Sequence, residues 1–280
     1  MSDEKIVEVQ IERLITFKNH PFKVGDDKEM SLLKDSIEKY GILNPIIVRP
    51  TSDGVYEIIS GHRRKHAAEM LGHRKVPVII RVLDDNESVI QMVDSNMQRE
   101  NISYSEKAFA ILMKSEAIKK IRTNKNSQIV HEIKGKRTIE IISKESGESP
   151  KQIQRYISIT KLIPKLLEKL DMGELSFTPA VSISALTKEE QKAFLEAMEY
   201  TQSSPSLSQA QRMKKLSSEG NLSLKKMKEI LSEEKNAMLA KVSFTDEQLY
   251  KYFPKNYTPE MMKREILALL KAYTEEYWND

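Results

Sequence analysis

The 280-residue chain contains no cysteine. This absence excludes disulfide bonds, zinc sites built on thiolates and any mechanism that uses a thiol nucleophile. Histidine is scarce too, with five residues along the whole chain, so the sequence offers little for a metal site built on imidazole ligands.

Long apolar runs are also missing. No stretch approaches the roughly 20 apolar residues that span a bilayer, and the first residues, MSDEKIVEVQ, lack the basic and apolar regions of a signal peptide. We therefore expect a cytoplasmic protein with no membrane partner. The apolar fraction of 39% and the charged fraction of 31% suit a helix-rich folded chain, and the length predicts two or three domains.

The first 100 residues alternate short β-type runs with amphipathic helices. Runs rich in Ile and Val predict strands at Pro45–Arg49, Val55–Ser60 and Val76–Val82. A helix is predicted over residues 28–40, and its apolar stripe is Met30, Leu33, Ile37 and Tyr40. A second predicted helix, from about His62 to Leu71, buries Ala67, Ala68 and Leu71. Residues 1–100 are therefore predicted to form a small mixed α/β domain.

From Ser88 onward the strand signal disappears and helical periodicity takes over, which predicts an α+β protein with an all-helical domain over residues 101–236. The predicted helices are Glu87–Gln98, Tyr104–Ile121, Thr138–Lys144, Ser149–Thr160, Ile163–Met172, Pro179–Ala185, Lys188–Tyr200, Leu207–Leu216 and Leu224–Glu234. A C-terminal helical segment, residues 237–280, begins its helix at Thr258 and Pro259. The apolar stripe of that helix is Met262, Ile266, Leu269, Tyr273 and Tyr277, which could form local core or a dimer interface.

Residues 138–160 have the pattern of a helix-turn-helix. A short helix ends near Gly147, and Ser149 and Pro150 suit the first turn of a second helix. Two glycine-linked helices can imitate this motif, but excess basic charge directly upstream favours DNA binding. The candidate DNA-contacting residues are Ser149, Lys151, Gln152, Gln154, Arg155 and Ser158, with Lys134, Lys136 and Arg137 before them.

A second basic cluster, GHRRKH at residues 61–66, follows a predicted strand directly and opens a helix. Free backbone N–H groups and the helix dipole make such a turn a good phosphate site, and paired guanidinium groups match phosphate oxygens. Downstream, Asn96 and Arg99 share one helix face and could complete an anion pocket. A solvated helix face is the plainer interpretation of each stretch taken alone.

The order of these stretches resembles ParB-type partition proteins: GILNPIIVRP, YEIISGHRRKHAAEMLG, VPVIIRV and SNMQRENIS resemble their N-terminal domain, and a helix-turn-helix domain follows. The resemblance implies a GERRxRA motif and an ENxQR motif that bind the triphosphate of CTP with magnesium. The implied nucleotide-binding residues are Gly61, His62, Arg63, Arg64 and Ala67 in the first motif and Asn96, Gln98 and Arg99 in the second, with Asn96 at the metal.

Two departures from the family pattern concern acidic residues. His62 and Ser95 stand where the family has glutamates that organise the metal and the hydrolytic step. Nucleotide binding is therefore expected more firmly than CTP hydrolysis, for which Asp94 or Glu100 would have to supply the acid. The chain also resembles sulfiredoxins near Gly61, but without cysteine that reductase chemistry is excluded.

The resemblance implies a DNA-binding partition protein for a plasmid, mobile element or chromosome. Such a protein would be a homodimer loading on a palindromic, centromere-like site in double-stranded DNA, would close a CTP-dependent clamp and would work with a ParA-like ATPase in the cytoplasm, on nucleoid or plasmid. A site-specific transcription regulator with a vestigial nucleotide pocket is the alternative. A nuclease is disfavoured, because the sequence has no clear cluster of metal-binding carboxylates.

Overall fold

A computed structural model describes residues 5–18, 20–22, 25, 27–51, 54–97, 99, 102–123, 137–233, 249–254 and 256–277, apart from the side chains of residues 272 and 274–277. The chain divides into two compact units, residues 1–232 and 233–280. A mixed α/β part followed by helices confirms the predicted fold class.

The α/β part is built around one mixed sheet. Its elements in chain order are β1 (Ile6–Gln10), a 3-10 turn (Ile11–Arg13), β2 (Leu14–Ile15), α1 (Lys28–Tyr40), β3 (Ile46–Pro50), β4 (Tyr56–Ser60), α2 (His62–Met70), β5 (Lys75–Ile80) and α3 (Asp85–Asn96). The spatial order of the strands is β1-β5-β3-β4-β2. β5 pairs antiparallel with β1 and parallel with β3, while β4 pairs antiparallel with β3 and parallel with β2.

The central strands β3, β4 and β5 are apolar on both sides because they are covered on both sides. Ile58 packs with Ala68 of α2 in one core, whereas the next residue, Ile59, joins a second core with Met92 and Val93 of α3. Alternate side chains of a strand point to opposite faces of its sheet, so α2 and α3 lie on opposite faces of β4. Gly61 links the end of β4 to the start of α2.

The three sequence-predicted strands and the first two helices are confirmed, but the sequence analysis missed β1 and β2. β1 lies at the sheet edge, where Val9 alone of its five residues is buried, and β2 has two residues. Such short or half-exposed strands carry little periodic signal. The prediction that Tyr40 lies on the buried stripe of α1 was wrong: its side chain is 59% exposed, while Met30 and Ile37 are buried.

The helices that follow share one large core. They are α4 (Tyr104–Thr123), α5 (Thr138–Ser146), α6 (Pro150–Ile159), α7 (Pro164–Asp171), α8 (Phe177–Ile183), α9 (Lys188–Thr201), α10 (Leu207–Ser218) and α11 (Leu224–Ser232). The long α4 contacts α3 on one side and α5, α6 and α7 on the other. One continuous helix thus connects the sheet to the helix-turn-helix.

Helix starts and ends differ from their predicted positions where capping decides them. α3 begins two residues before the predicted Glu87, because Asp84 accepts hydrogen bonds from Asn86 N–H and Glu87 N–H. α8 begins at Phe177 rather than at Pro179, since proline is tolerated in the first turn of a helix. No helix among the described residues is long and apolar enough to cross a membrane.

The C-terminal unit contains α12 (Pro259–Tyr277), which begins where the sequence predicted. Thr258 caps it by accepting a hydrogen bond from Met261 N–H at 3.3 Å. Within the predicted stripe Met262 is buried, but Leu269 and Tyr273 are exposed, as are Leu267 and Leu270 beside them. The stripe is therefore not covered within the chain along its full length, and the side chain of Tyr277 lies outside the described residues.

Candidate functional site

The turn from β4 into α2 has the backbone geometry expected of an anion site. Gly61 is the N-cap of α2 with φ at 109°, a value that side-chain-bearing residues rarely adopt. A Cβ atom at this position would also lie 3.1 Å from Nη2 of Arg64. Because the first N–H groups of a helix have no partner within the helix, those of His62 and Arg63 are presented at this turn.

Arg63 bridges α2 to the start of α1. Its Nη1 and Nη2 donate to Asp27 Oδ2 at 2.9 Å and Oδ1 at 2.6 Å, and Glu29 lies 3.7 Å away. Asp27 also caps α1 by accepting a hydrogen bond from Met30 N–H. The paired carboxylate raises the pKa of Arg63, and Arg63 holds the pKa of Asp27 well below its usual range. A phosphate that reached Arg63 would compete with Asp27.

Arg64 lies against the loop between α1 and β3. Its Nη1 donates to the carbonyl oxygens of Asn44 and Pro45, at 2.7 Å for Pro45. Carbonyl groups carry no full charge, so the guanidinium charge stays uncompensated, and burial lowers the pKa of Arg64. Ala67, one turn further along α2, is completely buried and allows the helix to approach α1 closely.

His62 occupies the first position of α2 and is buried against a second histidine. The ring centroids of His62 and His20 lie 3.9 Å apart, and Phe17 N–H donates to His62 Nε2 at 3.4 Å. Burial, reinforced by the positive charges of Arg99 and Lys65, lowers the pKa of His62 to about 3. His62 is therefore a neutral, packed side chain at neutral pH.

His20 was not singled out from the sequence, because only the fold brings it to α2. Its Nδ1 donates to the carbonyl oxygen of Phe22 at 2.8 Å, so Nε2 is an acceptor, and that atom is buried with no hydrogen-bond partner among the described residues. Burial lowers the pKa of His20 as well. An isolated histidine in a polar segment carries no spacing signal that sequence analysis could use.

The second motif lies at the end of α3. Asn96 is buried, and its amide nitrogen donates to Met92 O at 2.8 Å; the Ser95 hydroxyl donates to the same carbonyl at 2.9 Å. Arg99 follows, with its guanidinium 5.9 Å from the centre of the Phe22 ring. Burial and the nearby charge of Arg63 lower the pKa of Arg99, so the two motifs converge. Gln98 and Glu100 lie outside the described residues.

The donor set around this pocket does not fit magnesium, which prefers oxygen ligands and usually one or two carboxylates. At the two motif positions the protein offers an imidazole, His62, and a hydroxyl, Ser95, already donated to a carbonyl. Asn96 contributes one neutral amide oxygen. Across the described residues, no group of three or more His, Cys, Asp or Glu side chains could hold a metal ion.

The helix-turn-helix is formed by α5 and α6. Gly147 ends α5 with φ at 71°, and Ser149 caps α6 by accepting a hydrogen bond from Gln152 N–H at 3.2 Å. On the inner face of α6, Ile153 is buried and Ile157 is partly buried. The remaining inner positions are Tyr156 and Ile159.

The outer face of α6 has two kinds of side chain. Lys151 and Gln154 are exposed, whereas Arg155 is held on the protein: it donates to Gln152 Oε1 at 2.9 Å and to Thr178 Oγ1 at 2.6 Å. The Arg155 guanidinium also lies 4.8 Å from the centre of the Phe177 ring of α8. Ser158 donates its hydroxyl to Gln154 O at 2.8 Å.

A cleft of about 580 Å³ runs beside this face. Arg137, at the start of α5, lines it together with Lys119 of α4 and with Gln154 and Ser158 of α6. Two basic side chains and two polar side chains from three helices therefore face one groove. The other predicted basic residues, Lys134 and Lys136, lie outside the described residues.

A buried lysine connects the two candidate sites. Lys114 of α4 is 3% exposed; its Nζ contacts Glu145 Oε2 of α5 at 2.6 Å and also contacts Asp94 Oδ1 of α3. A cavity of about 470 Å³ lies beside it. Lys107 of α4 makes a similar ion pair with Glu148, just before α6. Asp94, two residues before Asn96, is thus paired with Lys114 of α4 and not with a residue of the second motif.

Known proteins support the interpretation of the N-terminal part. The profile of the ParB N-terminal domain matches residues 1–97. Nucleoid occlusion proteins from Lysinibacillus sphaericus and Bacillus cytotoxicus are 35% and 39% identical over 107 residues. These matches cover 38% of the chain but only 36% and 37% of the two relatives.

Two solved structures of truncated Caulobacter crescentus ParB also align. One, complexed to the centromeric parS site, is 24% identical with a TM-score of 0.41 and covers 80% of this chain and 98% of that one. The other, complexed with CTP-gamma-S, is 27% identical with a TM-score of 0.32 and covers 70% and 99%. Both TM-scores are too low to carry a conclusion about this chain. Residues 1–97 therefore match a ParB N-terminal domain, and the chain spans little more than a third of the length of the curated relatives that it resembles.

Proposed function

We propose that this protein is a site-specific, DNA-binding ParB-like partition protein whose N-terminal domain binds CTP. The observation that carries the proposal is the helix-turn-helix itself. Ser149 caps α6 at the turn, Lys151 and Gln154 project from its outer face, and a cleft lined by Lys119, Arg137 and Glu140 lies beside it. This arrangement suits a helix that enters the major groove while neighbouring cations contact phosphates.

The roles of the α6 residues follow from which side chains are exposed and which are hydrogen-bonded to the protein. Gln154 is exposed and can present its amide to the edge of an adenine, and Lys151 can contact guanine or a phosphate. Arg155 and Gln152 are joined to each other, and Arg155 also to α8, so they orient α6 and are available to DNA only with their remaining donors. Specificity is therefore assigned first to Gln154.

The nucleotide proposal rests on the convergence of the two motifs. The Arg99 guanidinium lies over the Phe22 ring, and the Phe22 ring contacts His20, which stacks on His62 at the start of α2. Guanidinium groups and helix N-termini are the protein's usual partners for phosphate oxygens. CTP is proposed as the ligand because the resemblance of residues 1–97 to the ParB N-terminal domain implies it.

The proposed assembly is a homodimer that binds a palindromic site. Exposed Leu267, Leu269 and Leu270 on α12 support an interface with a second copy, since clusters of exposed leucines on a helix mark association surfaces. A two-fold dimer matches a two-fold DNA site. In this proposal CTP closes the dimer as a clamp on DNA, and a ParA-like ATPase moves the complex on nucleoid or plasmid.

In vitro selection of random duplexes with the full chain tests the DNA proposal. We expect a discrete, two-fold symmetric consensus. Lys151→Ala and Gln154→Ala should weaken binding to it by at least about tenfold, the effect of losing one good base contact. Lys192→Ala, an exposed charge change on α9, is the matched control and should bind normally. Selection that yields no consensus would contradict the proposal.

A site-specific regulator with a vestigial nucleotide pocket is the second candidate. It is favoured by the present engagement of Arg63 with Asp27 and of Arg64 with backbone carbonyls. Titration of CTP into the wild-type chain and into Arg63→Ala separates the two. Binding that Arg63→Ala abolishes supports the nucleotide site, whereas no binding to the wild-type chain supports the regulator.

Hydrolysis of CTP would need an acid near the phosphates. Asp94, one of the two candidates from the sequence, is paired with Lys114, and this pairing disfavours a hydrolytic role. Phosphate release stimulated by the selected DNA site would identify a hydrolase. The curated relatives are nucleoid occlusion proteins, so cells carrying a deletion should be scored both for loss of the replicon and for division across the nucleoid.

A further inference from the structure

The side chains of His62 and Ser95, which stand where the family has glutamates, are already held by contacts within the fold. His62 is fixed by Phe17 N–H and by stacking on His20, so its ring belongs to the packed wall of the pocket. Ser95 and Asn96 both donate to Met92 O, within their own helix. The replacements are structural members of the fold, and none of them offers an anionic oxygen.

Several acids among the described residues near the two motifs have cationic partners. Asp27 is bound by both Nη atoms of Arg63, and Asp94 is bound by Lys114. Lys65 and Glu69, on α2 itself, form an ion pair at 2.8 Å. A divalent cation would have to displace an ammonium or a guanidinium to recruit any of these carboxylates.

Positive charge, by contrast, is abundant and partly desolvated. Arg64 is held by neutral carbonyl groups, and the pKa values of Arg64 and Arg99 are both lowered, chiefly by burial. An anion that entered would relieve this unfavourable burial of charge, because opposite charge stabilises a buried guanidinium. Arginine side chains of the protein can therefore neutralise phosphate charge, which a metal ion does in other triphosphate sites.

We propose that this pocket binds its nucleoside triphosphate without a divalent metal, with Arg63, Arg64 and Arg99 in place of magnesium. The inference rests on the proposed nucleotide site and specifies its chemistry. The bound triphosphate stays intact, because neither motif provides a carboxylate to orient a metal or an attacking water.

Calorimetric titration of CTP into the full chain, in excess magnesium and in EDTA at matched ionic strength, tests the proposal. Matching is needed because salt screens phosphate binding. We expect binding in magnesium to be no tighter than binding in EDTA, because magnesium gains no protein ligand and competes with the three arginines for the phosphate oxygens. Binding at least about tenfold tighter in magnesium would overturn the proposal, because a coordinated ion stabilises the complex by that order.

Variants that restore the missing acids give a second measurement. His62→Glu combined with Ser95→Glu should make CTP binding about tenfold tighter in magnesium than in EDTA. The neutral control His62→Gln should, like the wild-type chain, bind CTP no more tightly in magnesium. Loss of binding in Arg63→Ala, in both buffers, would place the ligand at this pocket. A wild-type chain that binds no CTP in either buffer would refute the nucleotide site itself, a result distinct from metal-dependent binding.

Discussion

Truncation of Lys114 is the sharpest test of how the sheet is joined to the helix-turn-helix. The side chain is 4% exposed, and its ammonium contacts Asp94 of α3 and Glu145 of α5. Lys114→Ala removes three buried methylene groups at about 0.8 kcal/mol each, or about 2.4 kcal/mol. The lost ion pairs add about 1 to 2 kcal/mol rather than the full penalty of a buried charge, since both carboxylates are about half exposed.

Lys114→Met keeps most of the apolar stem and removes only the charge. We therefore expect the free energy of unfolding of residues 1–232 to fall by about 3.4 to 4.4 kcal/mol in Lys114→Ala and by about 1 to 2 kcal/mol in Lys114→Met. Lys119→Ala, an exposed residue of the same helix, should stay within about 0.5 kcal/mol of wild type.

Urea denaturation followed by circular dichroism gives these differences, and hydrogen exchange of α3 and α5 shows whether they loosen together. Equal losses in Lys114→Ala and Lys114→Met would refute the assignment of most of the energy to the packed stem. Losses below about 0.5 kcal/mol in both would refute the view that Lys114 joins the two parts.

Three further predictions concern single contacts. Because the pKa of His62 is lowered to about 3 in the folded chain, protonation of His62 favours the unfolded state. The contribution of His62 to stability is complete above the ordinary pKa of 6.5 and falls by about 1.4 kcal/mol per pH unit between pH 6.5 and pH 3, and burial of His20 adds to this slope. Urea denaturation as a function of pH should show a smaller slope in His62→Gln. Gly61→Ala should lose about 1 to 3 kcal/mol in thermal denaturation because of its positive φ, whereas Gly25→Ala, with open space around its Cα, should be neutral. Arg155→Ala should lower the melting temperature, because it removes the hydrogen bonds to Gln152 and Thr178. Gln154→Ala should weaken DNA binding and leave the melting temperature unchanged. The opposite pattern would contradict the roles assigned to these two residues.

The main elements could be predicted because their signals are local. The helix over residues 28–40 has the predicted bounds, and the helix-turn-helix has the predicted Ser149 cap. β1 and β2 could not be predicted from the same kind of signal, since their pairing with β5 and β4 joins residues far apart in the chain. Tyr40 has helical spacing with Met30 and Ile37, yet only packing decides where a buried stripe ends.

The sequence by itself determined the order of the parts, the glycine turn into α2, the two basic motifs and the capped second helix of the helix-turn-helix, because these depend on residue type and short spacing. Tertiary structure alone decided what those residues contact. It brought His20 onto His62, gave Asp27 to Arg63 and placed the charge of Lys114 between α3 and α5. Partners distant in sequence meet only when the chain closes around a shared core, and their contacts decide which charges remain available to a ligand.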